Sequence, residues 1–169
     1  MIVFDLGASG QRLILEAPVV QHLEAHRQLT LRHREAGGQL FAAFVDDSIV
    51  VKKATGPRRR DRRTRTSYQP DRKAEQEEIL EHHRRGLHYV GDWHTHPVPR
   101  PSPSHLDYRS IQASVRQSTH ELNGFVLIIV GALPAPAGLH VSINDGNEAF
   151  VLSASGSPAL LDMQPFRPI

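Results

Sequence analysis

The chain carries the stretch HTHPVPRPSPSHLD at residues 94–107. His94 and His96 are two residues apart, so on an extended strand both imidazole rings project from the same face. Asp107 lies eleven residues beyond His96, across a proline-rich loop, and this spacing suits a third ligand at the start of the next element. Two imidazoles and one carboxylate make a three-ligand zinc site whose fourth position is free for water, which is the arrangement of a catalytic site rather than a structural one.

A hydrolytic zinc site needs two further groups, a base that takes a proton from water and a donor that stabilises the oxyanion. Glu35 is the candidate base, because it stands just before Gly37 and Gly38 at the mouth of a predicted strand, where glycines let another chain segment approach closely. Ser104 is the candidate oxyanion donor. The same serine stands three residues before an acid, which is also the pattern of a helix capping box, and the sequence leaves both roles open.

The composition indicates one globular domain without thiol chemistry. A length of 169 residues fits a single core, which we place at residues 1–155, followed by a poorly patterned C-terminal tail at 156–169. The chain has no cysteine, so disulfides are excluded and any metal must bind to histidine, aspartate or glutamate. No apolar stretch reaches membrane-spanning length and no export signal is evident, so we expect a cytoplasmic protein without a membrane partner.

Positive charge is concentrated in one short segment. Residues 58–65, from Arg58 to Arg65, contain six arginines and one aspartate, whereas the formal net charge of the whole chain is only +2. We predict an Arg-rich loop at residues 56–69 that is mobile or becomes ordered on binding. One alternative function is the binding of an acidic partner or a nucleic acid through this run. Nucleic acid is disfavoured by the small net charge and by the absence of aromatic residues within the run.

The apolar pattern predicts a mixed order of strands and helices. The predicted strands lie at 2–6, 11–15, 39–47, 48–55, 87–93, 125–130, 138–144 and 148–153, and the predicted helices at 18–28, 71–85 and 104–118. This order predicts an α/β fold, a single-domain α/β sandwich built on a mixed sheet. Trp93 alternates with His94, so we expect the indole in the core, on the face opposite the ligands. Four other histidines are expected at the surface, namely His82, His83, His105 and His120.

The site residues together resemble those of the JAB/MPN+ (JAMM) zinc metalloproteases. That family combines an upstream glutamate with H-x-H-P and then S-x-x-D, and Glu35, Pro97 and Ser104 stand in matching positions along with the three ligands. The resemblance extends over roughly residues 30–130. Within the family, the run GDWHTHP at 91–97 looks closest to bacterial JAB proteins of mobile elements and anti-phage operons.

The resemblance implies a cytidine-deaminase-like JAB/MPN fold and an isopeptidase activity. His94, His96 and Asp107 would bind one Zn²⁺ per chain, Glu35 would activate water, and Ser104 would stabilise the carbonyl oxygen. The implied partner is a ubiquitin-like protein or its conjugate, with an extended C-terminal tail, and activating-enzyme and conjugating-enzyme homologues would be encoded nearby. A second alternative is a non-catalytic MPN-type binding module, against which the intact ligand set argues.

Overall fold

The structure is a computed structural model that describes residues 1–155. The C-terminal tail predicted at 156–169 lies outside the described residues. A short 3₁₀ helix, Gly7–Ser9, follows the first strand, and the α-helices are α1 Ala17–Ala25, α2 Arg72–Arg84 and α3 His105–Gln117. The strands are β1 Ile2–Asp5, β2 Arg12–Leu15, β3 Gly37–Val45, β4 Ser48–Ala54, β5 Arg62–Arg63, β6 Tyr68–Gln69, β7 His88–Thr95, β8 Phe125–Val130, β9 Leu139–Asn144 and β10 Ala149–Val151.

Eight of the strands form one mixed sheet in the order β1-β2-β4-β3-β7-β8-β9-β10. β2 pairs with β4 and β7 pairs with β8 in parallel, and the other neighbours are antiparallel. The sheet curls until its edges meet, because the segment after β10 reaches back to β1: the Ser155 N–H donates to Val3 O at 2.7 Å, and Phe4 bridges to Ala154. The mixed α/β fold predicted from the sequence is confirmed.

The core has two parts, one on each face of the sheet. Trp93 is 1 % exposed and lies in the larger apolar cluster with Val19 and Leu23 of α1, and its indole N–H donates to Thr55 O at 2.9 Å. The smaller cluster joins α3, through Ile111, to β8. The prediction that Trp93 belongs to the core is confirmed, and the opposite face of β7 is left for the ligands.

The helices α2 and α3 lie close to their predicted ranges, and each begins after an N-cap, Asp71 and Ser104 respectively. α1 is shorter than the predicted 18–28 and ends at Ala25. Gln28 is instead drawn into the interior, where its side-chain amide donates to Arg65 O at 2.8 Å, so the chain leaves the helix early. Among residues 1–155, no helix combines the length and the apolar character needed to cross a membrane.

The structure shows strands within the segment at 56–69, which the sequence predicts as a loop that is mobile or becomes ordered on binding. This segment contains a two-stranded hairpin in which β5 pairs with β6. The hairpin is ordered because Arg58, Arg63 and Arg65 hydrogen-bond to the body of the domain rather than to solvent. Their partners include Glu78, Glu35 and Thr30, which lie 20 to 35 residues away along the chain, so the local sequence does not reveal these contacts.

Two of the four histidines expected at the surface are half-buried. The His82 ring packs against Phe41, with the ring centres 4.2 Å apart, and the His120 ring packs against Phe125 at 4.5 Å. An imidazole presents apolar ring faces, so each ring packs against a buried aromatic side chain. His83 and His105 are exposed, as expected.

Candidate metal centre

Three side chains converge at the end of β7. His94 belongs to that strand, and His96 follows it, with its backbone N–H donating to Val130 O at 2.9 Å. Asp107 comes from the first turn of α3. His94 Nε2 lies 3.1 Å from His96 Nε2 and 3.2 Å from Asp107 Oδ1, and His96 Nε2 lies 3.5 Å from Asp107 Oδ2. The structure thus brings together the three side chains that the sequence singles out as ligands.

The separations between these atoms fit a divalent metal ion. A tetrahedral zinc with ligands at about 2.0–2.1 Å needs ligand atoms about 3.3–3.4 Å apart. His94 Nε2 lies close to that distance from His96 Nε2, at 3.1 Å, and from Asp107 Oδ1, at 3.2 Å, and His96 Nε2 lies 3.5 Å from the second oxygen of Asp107. Two imidazole nitrogens and a carboxylate oxygen also form a donor set that zinc accepts. In the part of the chain that the structure describes, no second group of three such ligands converges.

Hydrogen bonds outside the triad hold the ligands in place. Asp107 Oδ2 accepts the Ser104 N–H at 2.6 Å, and Ser104 Oγ accepts the Asp107 N–H at 3.2 Å, which completes the capping box. The His96 ring bonds to the backbone of Ser102, so the proline-rich loop orients this imidazole. Burial alone would raise the pKa of Asp107, but hydrogen bonds from His94 and Ser104 hold it well below its ordinary value. The carboxylate is therefore ionised.

Glu35 is carried to the triad by the pairing of β3 with β7. Gly37 lies opposite His94 in the register, and the Thr95 N–H donates to Ala36 O at 2.9 Å. Glu35 is 8 % exposed. Burial is the main cause that raises its pKa to about 7; the charge of His94 opposes this rise, and that of Asp107 contributes to it. A carboxyl group whose pKa lies near neutrality can both accept a proton and return it.

The glycines after Glu35 allow close approach, as the sequence predicts. A Cβ atom at Gly38 would lie 1.8 Å from Thr55 O, and one at Gly37 would lie 2.6 Å from the Tyr68 ring. A larger residue at Gly38 would require a shift of the backbone, and one at Gly37 would displace the Tyr68 ring. β3 can therefore carry Glu35 beneath the hairpin only because both positions lack a side chain.

A buried hydrogen-bond chain links the base to the ligand strand, and sequence reasoning missed it. Thr95, between the two histidine ligands, is 0 % exposed, and Gln28 is 4 % exposed. The Thr95 hydroxyl donates to Gln28 Oε1 at 2.8 Å and accepts the Ala36 N–H at 3.0 Å. Gln28 Nε2 in turn donates to Arg65 O. No local pattern marks Gln28, because Arg65 and Thr95, which its side chain contacts, lie on two distant segments.

A cleft of about 530 Å³ opens beside the triad. Glu35, Ser104 and Asp107 line it, together with Tyr68 of β6. Leu106, which also lines the cleft, is 71 % exposed. The ligands and the candidate base therefore share one accessible depression with an apolar side chain at its rim.

Two further carboxyl groups line the same cleft. Glu75 of α2 lies with its Oε2 3.0 Å from Arg72 Nη1. Burial raises the pKa of Glu75 to about 7, and Asp92 is the largest charged contribution to this shift. Burial also raises the pKa of Asp92. The sequence offered a signal for Asp92, because it stands two residues before His94 and so shares its face of β7.

His140 is another residue that sequence reasoning missed. It lies on β9 opposite Ile129, which itself lies opposite His94. Burial lowers the pKa of the His140 imidazole to about 4, and its Nε2 has no hydrogen-bond partner among the described residues. The ring is therefore neutral at physiological pH and lies two strands from the ligands. Nothing in the neighbouring sequence marks it.

Residues 16–143 match the family of prokaryotic homologues of the JAB domain. The chain belongs to this family. The matched range includes the three candidate ligands together with Glu35 and Ser104. The resemblance that the motif residues indicate is therefore confirmed across most of the chain.

Curated relatives of this JAB domain include proteins named as hydrolases. A CD-NTase/cGAS isopeptidase of Enterobacter hormaechei subsp. hoffmannii is 32% identical over 127 residues, covering 73% of this chain and 63% of that protein. A probable metalloprotease of Sinorhizobium fredii is 38% identical over 87 residues, covering 48% of this chain and 53% of that protein. A CD-NTase/cGAS isopeptidase of Vibrio cholerae is 30% identical over 122 residues, covering 70% of this chain and 76% of that protein. The JAB domain thus spans less than two thirds of the first two relatives.

A solved structure supports the fold. The solution structure of a protein from Desulfitobacterium hafniense superposes on this JAB domain with a TM-score of 0.61 over 82% of this chain and 88% of that chain. The sequence identity is only 16%, so this similarity concerns the fold alone.

Proposed function

We propose that this JAB domain is a zinc-dependent isopeptidase or peptidase that hydrolyses the bond after a ubiquitin-like modifier, or within a related protein conjugate. The observation that carries the proposal is the convergence of His94, His96 and Asp107 beside the buried carboxyl of Glu35. The family match and the relatives named as isopeptidases and as a probable metalloprotease support it. The same proposal includes a role in anti-phage defence, activating and conjugating enzymes encoded nearby, and a cytoplasmic location.

When bound, zinc supplies Lewis-acid polarisation of a carbonyl group and lowers the pKa of a water molecule. His94, His96 and Asp107 would hold the ion. Glu35 takes the proton of the attacking water and returns it to the departing amine, which a carboxyl with a pKa of about 7 can do in both directions. Ser104 donates a hydrogen bond from its hydroxyl group to the developing oxyanion.

Ser104 can serve as cap and as donor at once. Its oxygen accepts the Asp107 N–H in the capping box, and this contact uses an acceptor lone pair only. The cap does not use the hydroxyl proton, which hydrogen-bonds to the Asp107 carboxylate and can rotate from there towards the cleft that Ser104 lines. The two roles left open by the sequence are therefore compatible in this geometry.

The cleft suits an extended chain at the scissile bond. It runs between α3, which contributes Leu106, and the hairpin residues Ser67 and Tyr68. Val98 lines the same cleft and is 42 % exposed, so apolar side chains flank the triad on the side of the proline-rich loop. The extended tail of a modifier would place its last peptide bond next to Glu35.

Cleavage of defined conjugates tests the proposal. The substrates are a ubiquitin-like protein fused to a reporter and the same modifier conjugated to a cyclase, with the enzyme stripped of metal and then reloaded with zinc. We expect zinc to restore cleavage, and Glu35→Gln to lower kcat about 10²- to 10⁴-fold while it keeps its zinc. Glu77→Gln, at an exposed position on α2, serves as the matched control and should cleave like wild type. A Glu35→Gln protein as active as wild type, or cleavage indifferent to metal removal, would reject the proposal.

The alternative of nucleic-acid binding is weakened by the structure. Of the six arginines at 58–65, Arg58, Arg63 and Arg65 hydrogen-bond to the body of the domain. Only the remaining three are exposed, namely Arg59, Arg60 and Arg62. The alternative of a non-catalytic binding module predicts that no substrate is cleaved, and the experiment above separates it from a hydrolase.

A further inference from the structure

The arginine-rich run divides into two sets according to where its side chains lie. Arg59, Arg60 and Arg62 are exposed, whereas Arg58, Arg63 and Arg65 are partly buried and hydrogen-bonded. A solvated charged loop would not sort its residues in this way. The inward set therefore has partners that the outward set lacks.

Arg63 contacts the backbone of the candidate base. Its Nε donates to Glu35 O at 2.6 Å, and its Nη2 donates to Arg34 O at 3.3 Å, so one guanidinium spans two successive carbonyl groups. On the other side of the same residue, the Glu35 N–H donates to Thr64 O at 2.7 Å. Two adjacent hairpin residues thus hold the Glu35 peptide units at both the N–H and the C=O.

The hairpin is itself fixed to the domain by Arg58. This side chain is 9 % exposed; it forms ion pairs with Glu75 at 3.5 Å and with Glu78, and it donates to Gln39 Oε1 at 3.1 Å. A two-stranded hairpin is at best marginally stable alone, so these contacts supply the rigidity that β5 and β6 lack. The buried guanidinium is tolerated because its donors are paired.

We propose that the arginine-rich hairpin is a clamp on the proposed base, in which Arg63 is a positioning residue that holds the Glu35 backbone and so aims its carboxyl at the ligands. The proposal rests on the proposed function only for the role of Glu35. The Tyr68 ring adds a contact to the clamp, because it packs on Gly37, two residues after Glu35 at the start of β3. A displacement of about 1 Å at a reacting group can cost about 10²-fold in rate, so even a small relaxation would be measurable.

The chain offers a matched set of variants for the test. Arg63→Ala removes both donors, Arg63→Lys keeps one cationic donor for one carbonyl, and Arg62→Ala removes the exposed neighbour on the same strand. Each protein is loaded with zinc, and its zinc content, kcat and KM are measured. Hydrogen exchange of the Glu35 amide is followed in the same samples by NMR.

For Arg63→Ala we expect kcat to fall about 10²-fold with KM and zinc content unchanged. The Glu35 amide should exchange about three- to tenfold faster, since a supporting hydrogen bond is lost. Arg63→Lys should recover part of both effects, and Arg62→Ala should match wild type. A raised KM with unchanged kcat in Arg63→Ala would overturn the proposal, because Arg63 would then contact the substrate. A kcat and a Glu35 exchange rate equal to those of wild type in Arg63→Ala would also overturn it.

The exchange measurement separates this proposal from the proposed function. If wild-type protein cleaves no conjugate, the isopeptidase assignment fails. The clamp would still be supported if the Glu35 amide exchanged faster in Arg63→Ala than in wild type and at the wild-type rate in Arg62→Ala. If Arg63→Ala does not fold, Arg63→Lys decides the question. Its partial loss of kcat and partial rise in exchange support the clamp, and wild-type values for both contradict it.

Discussion

Ser104 combines a folding role with a proposed chemical role in a single hydroxyl group. Its oxygen caps α3, which also presents Asp107 to the metal centre. Because the cap and the ligand lie three residues apart on the same helical turn, any change at Ser104 acts on the start of α3 and on the cleft together. The two effects need to be separated by choosing a substitution that keeps one of them.

Ser104→Gly makes this separation. Glycine at an N-cap costs only a few tenths of a kcal/mol relative to serine, whereas Ser104→Ala costs about 1 kcal/mol. Both variants lack the hydroxyl donor, so we expect both to lower kcat by up to about 10²-fold. Urea denaturation and steady-state kinetics check the two effects. Wild-type kcat in Ser104→Gly would leave the serine with its capping role alone.

Glu75 gives the domain a pH dependence that can be measured without any substrate. Burial raises its folded-state pKa from the ordinary 4.5 to about 7, with Asp92 adding to the shift and Arg72 and Arg58 opposing it. The folded protein therefore binds a proton more tightly than the unfolded chain between these pH values, and the free energy of unfolding falls as the pH rises through that window.

Glu75→Gln removes this titration. Between pH 4.5 and 7.5, we expect wild type to lose on the order of 1–3 kcal/mol more unfolding free energy than Glu75→Gln. Glu77→Gln, on the same helix with a side chain 66% exposed, should follow wild type. Urea denaturation at several pH values measures all three proteins. Parallel pH profiles for wild type and Glu75→Gln would show that Glu75 is ionised at its ordinary pKa.

At the scale of secondary-structure elements, the register of β3 against β7 decides where the candidate base lies. The chain through Thr95 and Gln28 secures that register at the end of the strands where Glu35 and the ligands meet. The Thr95 hydroxyl donates to Gln28 Oε1 and accepts the Ala36 N–H, so both partners depend on the same oxygen atom. Loss of that hydroxyl leaves the Ala36 N–H and Gln28 Oε1 buried without this partner.

Thr95→Val preserves the shape of the side chain and removes the hydroxyl. Each buried polar group left unsatisfied costs about 1–3 kcal/mol, so we expect a loss of about 2–4 kcal/mol of unfolding free energy. Thr95→Ser keeps the hydroxyl and should lose about 1 kcal/mol through the missing methyl group. Chemical denaturation compares the two. Equal or smaller destabilisation in Thr95→Val would show that the hydroxyl does not secure the register.

Elements with a local signature could be predicted from the sequence. β8 lies at the predicted 125–130 because its run FVLIIV is buried at every position, and α3 begins at the predicted cap, Ser104. The hairpin of β5 and β6 could not be predicted, because its order depends on Arg58 and Arg63 finding distant partners. In charge alone, the inward arginines are indistinguishable from Arg62, their exposed neighbour.

In the candidate site, too, the residues marked by a local pattern could be predicted and those brought in from distant segments could not. The convergence of the three candidate ligands could be predicted because the spacing from His94 to Asp107 reflects strand geometry and a helix start, both of which are local. Gln28 and His140 could not, since each joins the site only through the curled sheet and the return of the chain after α1. Proximity in the folded molecule, rather than pattern in the chain, brings them to the ligands.

At the scale of the whole molecule, one curled sheet places a strand end, a helix start and a buried acid around a single point. The arrangement is that of a JAB domain, and its atom separations suit a bound zinc ion. The chemical roles proposed for Glu35 and Ser104, and the effect of Arg63 on the rate, presuppose that ion. Zinc binding by the triad is therefore the central claim.

Elemental analysis of dialysed protein tests this claim most directly. After incubation with zinc and removal of the excess, we predict about one zinc per chain for wild type and for Glu35→Gln, as expected for a three-ligand site whose base is not a ligand. His96→Ala, which loses one ligand, should retain far less than one. Wild-type protein without stoichiometric zinc, or His96→Ala with as much zinc as wild type, would contradict it.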